Sequence, residues 1–346
     1  MRICIVGAGA IGGLLGIKLA QAGEDVTLIA RGPHLAAIRA DGMKLVQEDA
    51  GEIVVQIKAT DKIAEAGVQD LVILGMKAHQ VAAVVKDLRA MYHDQTMVLT
   101  AQNGIPWWYF MKHGGPHEGK RLESVDPGGI IADNLPIERV IGCVVYPAAE
   151  IVSPGVLKLI EGNRFSVGEI DGSETPRIKQ VAELLIKAGF KAPILTDIRS
   201  EIWLKLWGNL CFNPISALSH ATLVDICQFP LTRELATQMM TEAKTLAEGL
   251  GAHFRVALEK RIAGAEGVGK HKTSTLQDIE AGRPPEIDAL VGSVVELGRI
   301  TGTPMPHIDA IYAVVSLLAK TLHDENGRLK IHNPLRGVGA LEGITS

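Results

Sequence analysis

The chain has 346 residues, more than twice the common domain size of ~150, so two domains are expected. Hydrophobic residues make up 47% and charged residues 21%, and 35 Lys and Arg against 39 Asp and Glu leave a formal net charge of −4. That balance excludes a polybasic nucleic-acid or membrane-surface binder and a disordered chain, and no run of ~18 apolar residues marks a transmembrane helix.

Ile3 to Val6 reads as a short apolar strand, Ile11 to Ala22 as a helix and Val26 to Ile29 as a second strand. Between the first two lies Gly7-Ala8-Gly9-Ala10-Ile11-Gly12. The strand before it and the helix after it are the context in which G-x-G-x-x-G means dinucleotide binding. Gly7 permits the tight turn, Gly9 lets the backbone approach a pyrophosphate, and Gly12 allows close helix–strand packing. The helix N-terminus offers that pyrophosphate free N–H groups and a partial positive charge. At the end of the second strand an acid would bond a ribose 2′-OH, whereas a cation would accept a 2′-phosphate. Arg31 stands there, and Glu24 and Asp25 lie too early, so NADP is favoured over NAD. The alternative is an ordinary solvated arginine.

Lys44 to Val46 and Ile53 to Ile57 flank the polar turn Gln47 to Gly51 as a hairpin. Leu71 to Leu74, His79 to Met91 and Met97 to Ala101 continue the strand, helix and strand alternation of a parallel sheet. Lys112 to Asn134, rich in Gly, Pro and charge, is longer than a usual connection and reads as a surface insertion or lid. Val140 to Tyr146, Val156 to Leu159 and Phe165 to Val167 are further strands, and a helix from Pro176 to Ala188 closes this half. After Thr196 the patterns become long and helical, over Arg199 to Leu218, Leu231 to Leu250, Ala257 to Ala263, Ile287 to Ile300 and Ile308 to Leu322. The expected fold is therefore α/β: a Rossmann-type doubly wound sheet over 1–196, then an all-helical domain over 197–346. The tail from His323 to Ser346 is polar and glycine-spaced, and reads as loosely ordered.

Within the first long helix, Lys205, Asn209 and Asn213 stand at i, i+4 and i+8 and advance only about 40° per step. One ammonium and two amides thus share a stripe of an apolar segment, facing either a polar ligand or solvent. Asn is a poor helix former, and Pro214 is expected to interrupt the helix where the stripe ends, which weighs against a plain solvent face. Further on, Ser274 lies in the polar stretch His271 to Asp278. Glu286 enters a helix after Pro284 and Pro285, where a carboxylate also simply suits a helix N-terminus.

Together these residues resemble the ketopantoate reductase family, the 2-dehydropantoate 2-reductases. The resemblance rests on Gly7 to Gly12, Arg31, Met76-Lys77-Ala78-His79-Gln80, Gln102-Asn103-Gly104, Trp203 to Pro214, Ser274 to Asp278 and Glu286-Ile287-Asp288. These blocks span most of the chain in the family's order. The resemblance implies a cytoplasmic enzyme that reduces 2-dehydropantoate to pantoate with NADPH, on the route to pantothenate and coenzyme A. It implies that Lys205 is the general acid, that Asn209 and Asn213 orient the substrate, and that Ser274 binds it. Asn103 matches a residue at the junction of nicotinamide and substrate, Lys77 and Glu286 match groups of the cofactor site and active-site network, and Ala148 matches a backbone contact with the cofactor. The implied partner is a small 2-oxo acid, with no metal. The helical half also reads as a homodimer surface, with Trp203 and Trp207 as packing anchors.

Three features depart from the family's pattern: the aromatic run Trp107-Trp108-Tyr109-Phe110, the long Lys112 to Asn134 segment, and Leu223 near a position where some members place another asparagine. They keep open a reductase of a different 2-oxo acid, aromatic ones included, and a non-catalytic NADPH-binding sensor. Other motifs are set aside. Gly264 to His271 approaches a phosphate loop but has His271 where Ser or Thr is needed. His113 and His117 have metal-like spacing but are separated by Gly114, Gly115 and Pro116, as in a flexible, solvated loop. Cys4, Cys143, Cys211 and Cys227 lack Cys-x-x-Cys spacing, sit in apolar runs and read as reduced, buried thiols. The start imitates a signal peptide, but glycines 7, 9, 12 and 13 break it, so secretion is not expected.

Overall fold

Unbroken aliphatic runs form strands buried on both faces, as a parallel sheet covered by other elements demands. The structure is a computed structural model and describes residues 1–47 and 51–331. In chain order the first elements are β1 (Arg2–Val6), α1 (Ala10–Gln21), β2 (Asp25–Ile29), α2 (Gly32–Asp41), β3 (Met43–Gln47), β4 (Gly51–Val55), β5 (Lys58–Thr60), β6 (Leu71–Leu74) and β7 (Met97–Thr100). There follow α3 (Ile130–Asn134), β8 (Val140–Val145), β9 (Ala148–Ser153), β10 (Val156–Glu161), β11 (Phe165–Glu169) and α4 (Pro176–Lys187). A seven-stranded sheet runs β11-β8-β7-β6-β1-β2-β5, with β11 antiparallel and its other neighbours parallel. From β1 the chain winds outward to β2 and β5, then returns to β6 on β1's other side. Ligands of such sheets bind beyond the carboxyl ends at this reversal. The register sets Val6 beside both Ile29 and Leu74, which brings the residues after these three strands to one edge.

The hairpin expected around residue 49 is present as β3 and β4, and residues 48–50 of its turn lie outside the described residues. It belongs to a second sheet, β4-β3-β10-β9, in which β10 joins β3 in parallel. Leu157 and Met43 of this sheet close on Gly13 of α1, where a Cβ would come within 2.6 and 2.8 Å of them.

Two segments differ from expectation. His79 to Met91 forms 3-10 turns at Ala78–Gln80 and Asp87–Met91 rather than one α-helix. Its helical spacing reports the burial of Val81, Val85, Leu88 and Met91, while the β-branched valines crowd a regular α-turn. Lys112 to Asn134 is not a loose lid, because Leu122, Asp126 and Ile131 are buried. The Asp126 carboxylate accepts the Ile131 and Ala132 N–H groups at 2.7 and 2.9 Å. The Glu296 carboxylate accepts the Glu123 and Ser124 N–H groups at 2.8 and 2.9 Å.

The later chain is helical: α5 (Ile198–Ser219), α6 (Leu223–Gln228), α7 (Pro230–Gly249), α8 (Leu258–Gly267), α9 (Ser274–Glu280), a π-helical turn Asp288–Gly292, α10 (Ser293–Thr301) and α11 (Pro306–Asp324). Two compact units result. One is Met1–Leu206, Thr245–Phe254 and Asp288–Thr303; the other is Trp207–Lys244, Arg255–Ile287 and the chain from Pro304 on. The first holds both sheets, and the second is helical with a core that includes Ala217, Ile279, Ile287 and Val315. Pro214 does not interrupt α5, which continues to Ser219. Proline removes the N–H that would meet the Leu210 carbonyl and crowds that carbonyl, but residues 210–217 are all buried, so packing keeps the helix. Of the polar tail, the residues from 332 lie outside those described. Among the described residues no helix is long and apolar enough to cross a membrane.

Candidate active site

The glycine turn joins β1 to α1 where backbone meets backbone. Gly7 has φ +102°, and a Cβ on it would lie 2.8 Å from the Met76 nitrogen. A Cβ on Gly12 would lie 1.9 Å from the Gly7 carbonyl oxygen, so no larger residue fits between helix and turn. Gly9 caps α1, and a Cβ there would meet only the Gly75 oxygen, at 4.0 Å. Its outer face is therefore open, as a pyrophosphate approaching the α1 N-terminus requires. Ala10 and Ile11 form the first turn of that helix. Gly7, Ala8, Gly9, Arg31, His34 and Met76 help line a groove of about 1120 Å³. That volume accommodates a dinucleotide, since small-molecule pockets span ~300–1,000 Å³.

Arg31 is exposed on the groove and stands at the N-cap of α2. The two acids near β2 are engaged elsewhere. Glu24 accepts from the Met1 amine and from Lys187 Nζ, the latter at 2.8 Å, and Asp25 pairs with Lys58 Nζ at 2.8 Å. His34 was not legible in the sequence as part of this site. Its Nδ1 accepts the Gly155 N–H at 3.0 Å, so its Nε2 carries the proton and donates to the Ala8 carbonyl at 2.8 Å. The neutral ring thus ties the glycine turn to the second sheet. Lys77 is half-buried after β6, its N–H donating to Gln80 Oε1 at 3.2 Å, and Ala148 opens β9 half-buried.

On α5, residues 201–204 and 206 are buried and Lys205 is half-buried between them. Lys205 Nζ donates to Asn103 Oδ1 at 2.5 Å and also to the Val145 carbonyl. Asn103 follows β7 and Val145 ends β8, so three elements meet at one ammonium. The Asn103 loop is held by the Ile105 N–H, which donates to the Ala289 carbonyl at 3.0 Å. Cys143 is buried nearby, and burial pushes its thiol up to about 12, opposed by the Lys205 charge. Burial also pushes Cys211 well above the ordinary thiol range, so neither offers a thiolate nucleophile.

In the helical unit, Asn209 is half-buried on α5 and Asn213 is buried. Asn213 Nδ2 donates to Ser274 Oγ at 3.4 Å, so this end of the stripe does not face solvent. Ser274 is the first residue of α9, whose cap is Thr273, its Oγ1 accepting the Leu276 N–H at 3.3 Å. Glu286 is half-buried in the loop before Ile287, and the Leu223 N–H donates to the His271 carbonyl at 3.0 Å as α6 begins.

The aromatic run belongs to the core. Trp107, Trp108, Tyr109 and Phe110 are buried, Trp108 Nε1 donates to Thr100 Oγ1 at 3.2 Å, and Arg199 donates to the Tyr109 and Met111 carbonyls. The cavity that Trp107 and Trp108 share with Asn103 measures about 20 Å³, room for about one water and not for a substrate side chain. His113 packs on the Tyr109 and Phe110 rings and His117 on Phe110, a built arrangement instead of a flexible solvated loop. Trp203 and Trp207 are likewise not exposed anchors. Trp203 Nε1 donates to the Tyr109 hydroxyl at 2.8 Å, and Trp207 Nε1 donates to the Met240 carbonyl at 2.6 Å.

Comparison with known proteins agrees with this construction. The family described as Ketopantoate reductase PanE/ApbA matches residues 3–172, and its C-terminal domain matches residues 197–319. A 2-dehydropantoate 2-reductase of Mesorhizobium japonicum is 52% identical over 320 residues, which cover 92% of this chain and 98% of that protein. The chain belongs to the ketopantoate reductase family. Membership makes it a nicotinamide-dependent oxidoreductase, and the α/β fold with a helical C-terminal domain is the family's. The solved 2-dehydropantoate 2-reductase of Geobacter metallireducens superposes with a TM-score of 0.81 at 27% identity, covering 92% of this chain and 100% of that one. A D-mandelate dehydrogenase solved with NADH and anilino(oxo)acetate shares the fold, with a TM-score of 0.80 at 22% identity over 93% of this chain and 100% of its own.

Proposed function

We propose that this family member reduces 2-dehydropantoate to pantoate with NADPH, with Lys205 as proton donor, on the route to pantothenate and coenzyme A. The observation that carries the reading is the held ammonium: Lys205 Nζ donates to Asn103 Oδ1 at 2.5 Å and to the Val145 carbonyl. Bound NADPH supplies a hydride to the carbonyl carbon. Lys205 gives its proton to the carbonyl oxygen as negative charge develops there, and solvent restores that proton afterwards. Asn103 lies where nicotinamide and substrate adjoin in this reading. Asn209, Asn213 and Ser274 orient the substrate through hydrogen bonds, and Glu286 belongs to the active-site and cofactor network.

For the cofactor, the open face at Gly9 and the α1 N-terminus suit the pyrophosphate, and Lys77 and Ala148 complete the set. Arg31 donates to the 2′-phosphate in this reading, supported by its exposure on the groove and by the engagement of Glu24 and Asp25 elsewhere. Four free, buried cysteines support a cytoplasmic setting. The family limits at 172 and 197 support a division near residue 196. A homodimer through the helices has support in Val314 and Leu317, which are exposed on α11.

The test follows NADPH oxidation with 2-dehydropantoate beside pyruvate, 2-oxoisovalerate and phenylglyoxylate. Selective turnover of 2-dehydropantoate is expected. A higher kcat/KM for another acid would reassign the substrate, and NADPH binding without any turnover would make the protein a sensor.

A further inference from the structure

The end of β8 offers Lys205 more than a carbonyl. Tyr146 follows Val145 directly, and Lys205 Nζ lies 5.9 Å from the centre of its ring, within the ~6 Å at which a ring face attracts a cation. The residue is itself fixed at three points. Its hydroxyl donates to Glu201 Oε1 at 2.6 Å, its backbone N–H donates to the Arg164 carbonyl at 3.0 Å, and the Arg164 guanidinium stands 5.1 Å from its ring centre.

Glu201 is the unusual member. It is 1% exposed, and a buried carboxylate is destabilising unless it is paired and hydrogen-bonded. Arg164 Nη2 donates to its Oε1 at 2.8 Å, and Arg164 Nε donates to Ser166 Oγ at 2.9 Å. Glu201 also stands one helical turn before Lys205 on α5, so the group that anchors the ring and the ammonium that meets its face share one side of one helix. The lysine stem has four rotatable carbons, and a proton donor displaced by ~1 Å loses about 100-fold in rate.

We propose that Tyr146, fixed by Glu201 and Arg164, is a positioning residue that holds the Lys205 ammonium at Asn103 and the Val145 carbonyl for proton transfer. This rests on the reading of Lys205 as the proton donor. The ring acts by its face and the hydroxyl acts by orienting the ring, so the two contributions separate in variants.

The experiment uses the full-length protein with NADPH and 2-dehydropantoate, and compares Tyr146→Leu, Tyr146→Phe, Glu201→Gln and Lys205→Ala. Tyr146→Leu should lower kcat by about 30-fold, within the loss expected for a misplaced catalytic group, while NADPH affinity measured by nucleotide fluorescence stays unchanged. Tyr146→Phe and Glu201→Gln keep the ring and loosen it, so kcat should fall only about 3- to 5-fold. A folded Tyr146→Leu protein with kcat within about twofold of the parent would overturn the proposal. Where Tyr146→Leu does not fold, the other two variants decide: reduced kcat at unchanged NADPH affinity supports the assignment, and parental kcat in both overturns it. Lys205→Ala separates the two readings. If it keeps parental turnover, the proton-donor assignment fails; if it abolishes turnover while the folded Tyr146 variants keep kcat within about twofold of the parent, only the positioning role fails.

Discussion

The glycine turn and the seat of Lys205 lie in one unit yet are built from different material. The turn is six consecutive residues whose work is done by backbone, and its geometry is enforced by contacts as close as the 1.9 Å a Gly12 Cβ would have to the Gly7 oxygen. The lysine seat gathers Asn103, Val145, Tyr146, Glu201 and Lys205 from three stretches of chain, with 102 residues separating Lys205 from Asn103. A backbone site tolerates almost no added atom but needs no distant partner. A side-chain site tolerates many substitutions but fails when one partner loses its place.

The largest break in that comparison is Lys205→Ala, expected to lower kcat by ~10²- to 10⁴-fold with NADPH affinity intact, as removal of a general acid does. Single-turnover rates beside equilibrium NADPH binding check it, and a parallel loss of both would show that the two sites are not separable. Next is Gly12→Ala, which should weaken NADPH binding by about 100-fold because turn and helix must part to admit the methyl group. Fluorescence titration of NADPH measures this, and parental affinity would mean the turn relaxes at little expense. Smaller still, Arg31→Ala should raise the NADPH KM by about 10-fold and leave that for NADH unchanged, as loss of one charge-assisted phosphate contact predicts. An equal change for both nucleotides would remove Arg31 from the 2′-phosphate.

The smallest effect should come from the amino ends of the strands, opposite the site. Asp70 precedes β6 and pairs with Arg2 at the start of β1, Nη2 to Oδ1 at 2.9 Å. The Arg2 guanidinium bond is the chief cause that lowers the Asp70 carboxyl to about 2, helped by the Arg2 N–H and His93. Because the folded value is depressed, the stabilisation is full above the ordinary carboxylate pKa of ~4 and is lost as pH falls toward 2. Asp70→Asn should lower Tm by roughly 1–3 °C at pH 7, show no difference near pH 2, and leave turnover unchanged. A loss of turnover would contradict the placement of function at the carboxyl ends of the strands.

Much of the fold was legible because its rules are local. The β1–α1–β2 beginning, the hairpin near residue 49 and most of the long helices followed from periodicity and turn chemistry. The short elements β5, β9, α6 and α9 did not, since three to seven residues carry too little pattern to declare themselves. In the sequence Trp107 to Phe110 stand out as a departure that keeps a different 2-oxo acid open, because their neighbours lie far along the chain. In the structure they pack against Thr100, Arg199 and Trp203. Glu201 and Tyr146 were invisible for the same reason: neither matches a motif, and each gains meaning only beside the other.

By itself the sequence determined the order of most strands and long helices, the glycine turn, the cation after β2 and the identity of Lys205, Asn209 and Asn213 as a polar stripe. Backbone sterics and side-chain periodicity act over a few residues, so these features can be read from short stretches of chain. Only the tertiary structure decided that Lys205 meets Asn103 and the Val145 carbonyl, that Asn213 meets Ser274, that Pro214 stays inside α5 and that the 112–134 segment is packed. Those outcomes depend on which buried surfaces find one another across tens to a hundred residues, and hydrogen bonds and packing at that range are not encoded in any short stretch of chain.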